Sequence, residues 1–263
     1  MEYSYFIINP TGNITAIVET ETPRSEQSSL AALIMSQDSS IEQVGFLEKP
    51  QSNADIRLQM MGGEFCGNAS ISAAALTAQK AGITDGSILL EVSGVESALN
   101  VRVQKLCDNK YLGTVAMPLP IGIETLELDG FRFPCVNFPG ISHIICGDEL
   151  GFDTAEKSIR SWCERLNAEA LGLMFPDGKA LKPYVYVRST DTAVWESSCA
   201  SGTTAVCAYL AANSGKSQSV ALRNPGGELC VSAELSGGVL TALELTGSAE
   251  ITGMHRICVD APA

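Results

Sequence analysis

The chain has only two histidines, His143 and His255, and no two of its nine cysteines stand three residues apart. A zinc ribbon, a C-x-x-C redox centre or a histidine-rich metal site therefore has no foothold, and no metal is expected. Positive charge is also scarce: 17 Lys and Arg face 30 Asp and Glu, a formal net charge of −13. Phosphate and anionic lipid are held by clustered cations, so neither a nucleic acid nor a membrane is an expected partner. No apolar run is long enough to span a bilayer as a helix. The opening MEYSYFIINP lacks the basic start and long apolar core of a secretory signal. An odd cysteine count in 263 residues also argues against a disulfide framework. The expectation is a cytoplasmic protein with reduced thiols.

What is present is ample core material. The chain is 45% hydrophobic and 18% charged, enough for one large domain or two smaller ones. Strands and helices alternate with short turns. Tyr5 to Asn9, a Pro-Thr-Gly-Asn turn and Ile14 to Val18 read as a hairpin. Thr22-Pro23 reads as a helix start. Asp55 to Met60 alternates as a half-buried strand does. The second half repeats the pattern. Phe131 to Phe138, Pro139-Gly140 and Ile141 to Cys146 form another hairpin signal. Asp153-Thr-Ala-Glu156 is a capping-box pattern and predicts a helix running through Leu171.

The closest echo follows two of the cysteines. Cys66-Gly-Asn-Ala-Ser-Ile-Ser-Ala-Ala-Ala-Leu predicts a helix of small residues ending near Gly82. Cys199-Ala-Ser-Gly-Thr-Thr-Ala-Val-Cys-Ala-Tyr-Leu predicts another ending near Gly215. Asn9 and Asn137, Thr22 and Asp153, and Cys66 and Cys199 each stand about half the chain apart. The reading is two homologous domains related by a pseudo-twofold axis, 1–119 and 120–248, with 249–263 returning to the first. Each small-residue helix is apolar nearly all round and should be buried in its own sheet.

The repeat divides the cysteines. Cys107, Cys135, Cys146, Cys163, Cys207, Cys230 and Cys258 are expected to be packing residues. Cys66 and Cys199 each sit where a loop enters a helix. Unpaired N–H groups and the helix dipole at such an end favour a thiolate, predicting lowered thiol pKa values, and they also bind a carboxylate. Two such ends facing each other would hold one carboxylate between two thiols. One thiol would take a proton from one face of a carbon and the other return one to the opposite face. That is racemase or epimerase chemistry, with no cofactor expected. Gly67, Asn68, Ser201, Gly202 and Thr203 are candidates for the carboxylate cradle.

These residues carry a resemblance. Glu64-Phe-Cys66-Gly-Asn-Ala and Cys199-Ala-Ser-Gly-Thr resemble the paired cysteine motifs of the diaminopimelate epimerase and proline racemase superfamily. Pro10-Thr-Gly-Asn13 resembles its amino-terminal Gly-Asn turn, and Asn137-Phe-Pro-Gly-Ile-Ser-His143 its Asn-Pro-His turn. Gly226-Gly-Glu-Leu through Leu245-Thr-Gly-Ser-Ala and Glu250 resemble its carboxy-terminal strands. The resemblance implies an α+β fold of two pseudo-symmetric domains, each a mixed barrel-like sheet around a central helix. It implies Cys66 and Cys199 as acid and base, Glu196 as the grip on a substrate ammonium with Glu64 as the alternative, and Asn13 as a substrate hydrogen-bonding group. By position His143 resembles a site-proximal histidine. Trp195-Glu-Ser-Ser-Cys199 departs from diaminopimelate epimerases, which carry a Glu-Arg-Gly stretch there. It is more similar to the histidine racemases of staphylopine-type metallophore pathways, which implies a small amino-acid substrate, histidine. A diaminopimelate epimerase or another amino-acid racemase of the same fold, a lyase of that fold and a non-catalytic amino-acid-binding protein are the alternatives. A homodimer is compatible with all of them.

Overall fold

The computed structural model describes residues 1–259. The last four positions of the expected returning segment 249–263 lie outside the described residues. The fold is mixed α+β. It divides into two compact units, Met1–Ala116 together with the chain from Thr246 onward, and Met117–Leu245.

The first unit begins with a hairpin, β1 (Glu2–Pro10) and β2 (Thr15–Val18). Its turn places Thr11 and Gly12, not Asn13, in the left-handed region (φ 57° and 97°). Helix α1 (Arg24–Gln37) buries Gln27, Leu30, Ala31 and Ile34, one stripe at helical spacing. Strand β3 (Gln43–Glu48) runs parallel to β2, and β4 (Ile56–Met60) returns antiparallel. Helix α2 (Gly67–Ala81) leads to β5 (Asp85–Val92), parallel to β4, and then β6 (Leu99–Cys107) and β7 (Lys110–Ala116) complete a meander.

The second unit runs from Met117 into the start of the last strand, ending at Leu245. Strands β8 (Gly122–Leu128), β9 (Phe131–Phe138) and β10 (Ile141–Ile145) are antiparallel neighbours. Helix α3 (Phe152–Arg165) precedes β11 (Ala170–Asp177), parallel to β10, and β12 (Ala180–Val187) returns. The short β13 (Thr192–Trp195) pairs with β12 off the main path. Helix α4 (Ala200–Ser214) leads to β14 (Gln218–Asn224), parallel to β12, and then β15 (Gly227–Ser236). The twenty-residue β16 (Val239–Cys258) follows. Its first part lies beside β15. Its later part neighbours β7 and pairs with β1 from Glu2↔Cys258 to Pro10↔Ala249, closing an eight-stranded barrel in the first unit.

Inside that barrel α2 buries eleven residues, and α4 buries nine in the second unit. Alanine, serine and threonine let a helix sit close to strands on several sides. The buried hydroxyls are satisfied within the helix: Ser70, Ser72, Thr203 and Thr204 donate to the carbonyl four residues back. Both helices stop at a left-handed glycine, Gly82 (φ 70°) and Gly215 (φ 66°), whose N–H returns to the last turn.

Two sequence expectations need correction. The helix predicted through Leu171 ends at Arg165, and no side chain caps its start. Asn167 turns left-handed (φ 48°), and the buried run Ala170–Phe175 becomes β11. A continuous apolar run flanked by strands on both sides gains more as a central strand than as a helix tail. Glu156 instead accepts the Trp195 indole N–H at 2.7 Å. Among the seven cysteines expected to pack, Cys107 and Cys258 are exposed and Cys230 is half-buried. All three lie on strands with a water-facing side.

Candidate active site

Cys66 and Cys199 are the N-cap residues of α2 and α4. Their backbones nearly coincide in conformation (φ −134°, ψ 115° and φ −120°, ψ 103°). Each sulfur accepts the N–H three residues on, from Ala69 and Gly202, both at 3.4 Å. A cysteine thus takes the capping role usually filled by serine or aspartate. Gly67 and Asn68, and likewise Ser201, Gly202 and Thr203, form the first turns behind the two thiols.

The expected lowering of the thiol pKa values does not occur. Burial pushes Cys66 up to about 11, against the opposing effect of the Ala69 N–H, and the nearby Glu64 charge adds to the rise. Burial also pushes Cys199 well above the ordinary thiol value. The charge of Glu196 and a hydrogen bond to that carboxylate raise it further, opposed by the Gly202 N–H and the Ser201 hydroxyl. A helix end offers about half a charge, whereas removing a thiolate from water costs more than that, most of all at Cys199, which is only 5% exposed; Cys66 is half-buried.

The surroundings of the two sulfurs differ in charge. The Cys66 thiol donates to Gln43 Oε1 at 3.2 Å. The Gln43 amide nitrogen donates to Asn13 Oδ1 at 2.5 Å and Thr15 Oγ1 at 2.8 Å, while Asn13 Nδ2 donates to Glu42 Oε2 at 2.5 Å. Asn13 is therefore one residue removed from the thiol, with both ends of its amide engaged. Glu64 is exposed, and its carbonyl accepts the Ser93 hydroxyl at 2.8 Å. The Cys199 thiol instead meets a carboxylate, Glu196, and the Ser201 hydroxyl at 3.7 Å.

His143 is fully buried in the second unit, and its Nε2 lies 2.9 Å from Ser201 Oγ. Burial holds its pKa down to about 3, so the ring is neutral at ordinary pH. Its Nδ1 has no hydrogen-bond partner among the described residues. An unpaired lone pair is less costly there than an unpaired N–H, which favours the tautomer with the proton on Nε2. Ser201 then accepts from the ring and has its own hydrogen free for Cys199. Thr203 is fully buried; its hydroxyl donates to Cys199 O at 2.7 Å and its N–H to the same oxygen at 2.9 Å, so neither donor is left for a substrate carboxylate.

Trp195 packs against Tyr184, Phe152 and Phe175, with the Lys182 ammonium 4.5 Å from its ring. His255 is exposed and stacks on Tyr5. Three residues around the cysteines escaped sequence reading: Gln43, Ser93 and Asn224. Each is an ordinary polar residue on or just after a strand, distant in sequence from the cysteine it supports, so no local signal marks it.

The family model for the histidine racemase CntK N-terminal domain matches residues 2–257. A histidine racemase of Fusobacterium nucleatum subsp. nucleatum is 36% identical over 214 residues, covering 77% of this chain and 79% of that protein. A histidine racemase of Staphylococcus aureus is 26% identical over 78% of each chain. The crystal structure of a hydroxyproline epimerase from Agrobacterium vitis shares the fold, with a TM-score of 0.69 at 14% identity over 99% of this chain and 94% of that one. With a match across nearly its whole length, the chain belongs to the histidine racemase family and is an amino-acid isomerase.

Proposed function

We propose that the enzyme interconverts L- and D-histidine, with Cys66 and Cys199 serving the two faces of the α carbon. The observation that carries this is the pair of matched cysteine N-caps. Inversion at a carbon needs a base on one face and an acid on the other, and the chain supplies two thiols in nearly identical local geometry. The 36% identical relative bearing the name histidine racemase supports the choice of substrate.

In this mechanism the substrate carboxylate lies at the helix-end N–H groups, which stabilise the charge that develops when the α proton leaves. Glu196 takes the substrate ammonium. That contact would neutralise the carboxylate that now holds the Cys199 proton in place, so substrate arrival eases deprotonation of the thiol. One thiolate abstracts the α proton, and the opposite thiol delivers its own proton to the other face. The two sulfurs finish with their protonation states exchanged. We further propose that the two units are copies of one ancestral plan, supported by their shared strand order and parallel pairs. Nine free cysteines fit action in a reducing compartment such as the cytoplasm.

The test is to incubate the protein with single L-amino acids in deuterated water under reducing conditions. Loss of the α proton should accompany inversion with histidine, and Cys66→Ala or Cys199→Ala should abolish inversion. Exchange confined to diaminopimelate would replace the substrate. No exchange with any amino acid would remove the proposal.

A further inference from the structure

The two peptide groups of Cys199 are joined by one closed set of side-chain hydrogen bonds, and its C=O also accepts the Thr203 N–H at 2.9 Å. Its N–H donates to Asn224 Oδ1 at 3.3 Å. Asn224 Nδ2 donates to Thr203 Oγ1 at 3.3 Å, and the Thr203 hydroxyl donates to Cys199 O at 2.7 Å. Asn224 Nδ2 also reaches Leu222 O at 3.3 Å, so the amide is anchored to its own strand. Asn224 is 1% exposed and Thr203 fully buried. The chain just beyond Asn224 is tied to the same loop, because Gly226 N donates to Ser197 O at 2.7 Å.

The N–H of an N-cap residue takes no part in its helix. Among the described residues Asn224 alone satisfies it, and an orphaned donor would destabilise the loop. With N–H and C=O both fixed, φ and ψ of Cys199 are fixed, and so is the direction in which its Cα–Cβ bond points. The end of β5 offers a weaker counterpart. Ser93 accepts Met60 N at 3.0 Å and donates to Glu64 O, bracing the loop before Cys66 and not the cysteine itself.

The structure assigns Asn224 as a positioning residue for the Cys199 thiol, acting through a three-member ring with Thr203. It holds the sulfur at the angle that proton transfer to and from the substrate α carbon requires. The catalytic half of this inference rests on the racemase proposal above; the geometric half does not.

The experiment compares wild type, Asn224→Ala, Thr203→Val and the double variant. It measures steady-state histidine inversion, and also iodoacetamide alkylation of each cysteine at pH 8 by mass spectrometry in the absence of substrate. Asn224→Ala should lower kcat about 10- to 100-fold, because small misplacements of reacting groups cost that much, with little change in KM. Cys199 should alkylate several-fold faster once its loop is freed, with Cys66 in the other unit unchanged. Thr203→Val should shift both readouts in the same direction but less, because the backbone N–H at 203 still holds Cys199 O. The double variant should lose no more than the more damaging single one, as members of one ring do. If kcat and Cys199 alkylation both stay within about twofold of wild type, or if the two losses multiply, the assignment is wrong. Should Asn224→Ala also speed Cys66 alkylation, the whole chain has loosened and Thr203→Val decides. Val keeps the volume of Thr203 and removes only its hydroxyl; unchanged Cys199 alkylation in that variant overturns the ring. An inactive wild type would remove the racemase proposal while leaving the alkylation pattern to judge the ring.

Discussion

Acid should destabilise the second unit through one residue, His143. Its ring is fully buried and its pKa held at about 3, against 6.5 for an ordinary histidine. Between those values the unfolded chain binds a proton that the folded chain does not, so stability falls as pH falls below 6.5 and is fully present above it. Each pH unit in that window is worth about 1.4 kcal/mol. Lowering pH from 7.5 to 5 should therefore cost about 2 kcal/mol, a shift of roughly 1 M in a urea midpoint. His143→Gln keeps a donor for Ser201 but cannot titrate. It should lose none of that increment, whatever its stability at pH 7.5. Both tryptophans, Trp162 and Trp195, lie in the same unit as His143, so urea titration followed by tryptophan fluorescence reports on the right region. The pH-dependent difference between the two proteins is the quantity to read, since other titrating groups are common to both. Equal losses in wild type and variant would show that the ring protonates in place, and the burial argument would fail.

Further outcomes follow from packing and thiol chemistry. Gly202→Ala would drive a methyl group into Met174 Sδ and to 3.0 Å from Cys199 Sγ; kcat should fall about 100-fold. Adding Met174→Ala should recover part of that loss, and no recovery would count against the steric cause. Alkylation of Cys66 at pH 8 should lag far behind that of exposed Cys107, because a thiol of pKa about 11 is about one part in a thousand thiolate there. Its rate should climb about tenfold per pH unit from 7 to 10, and a flat profile would contradict the effect of burial. Trp162→Phe removes a 2.7 Å hydrogen bond to Asp129 from a fully buried site; urea midpoints should report a loss of about 1–3 kcal/mol.

The two cysteine caps were legible in the sequence because a helix start is a local event. A loop, a cysteine and a run of small residues announce it within a dozen positions. The state of the thiols was not legible, because it depends on how much water the completed sheet removes, and that quantity overrode the helix end. Gln43 and Asn224 were invisible for a related reason. Each reaches its cysteine only after a strand has been brought alongside a helix start more than twenty residues away. Asn13 shows a mixed case. Its turn was found from Pro-Thr-Gly-Asn, but its amide is spent on Glu42 and Gln43, partners that only the parallel pairing of β2 and β3 brings near. The tail of α3 was misjudged because an apolar run of six residues carries no period of its own, and neighbouring strands decide its form.

The long strand β16 bears on how the protein is made. Translation delivers β1 to β7 first, yet the partner that joins β7 to β1 arrives only after the whole second unit has left the ribosome. Until then two sheet edges stand unpaired, a state prone to sticking to other chains. Nascent chains paused before Thr246 should therefore bind chaperones far more than finished ones, and the first unit, though begun earliest, should be the last to become resistant to protease.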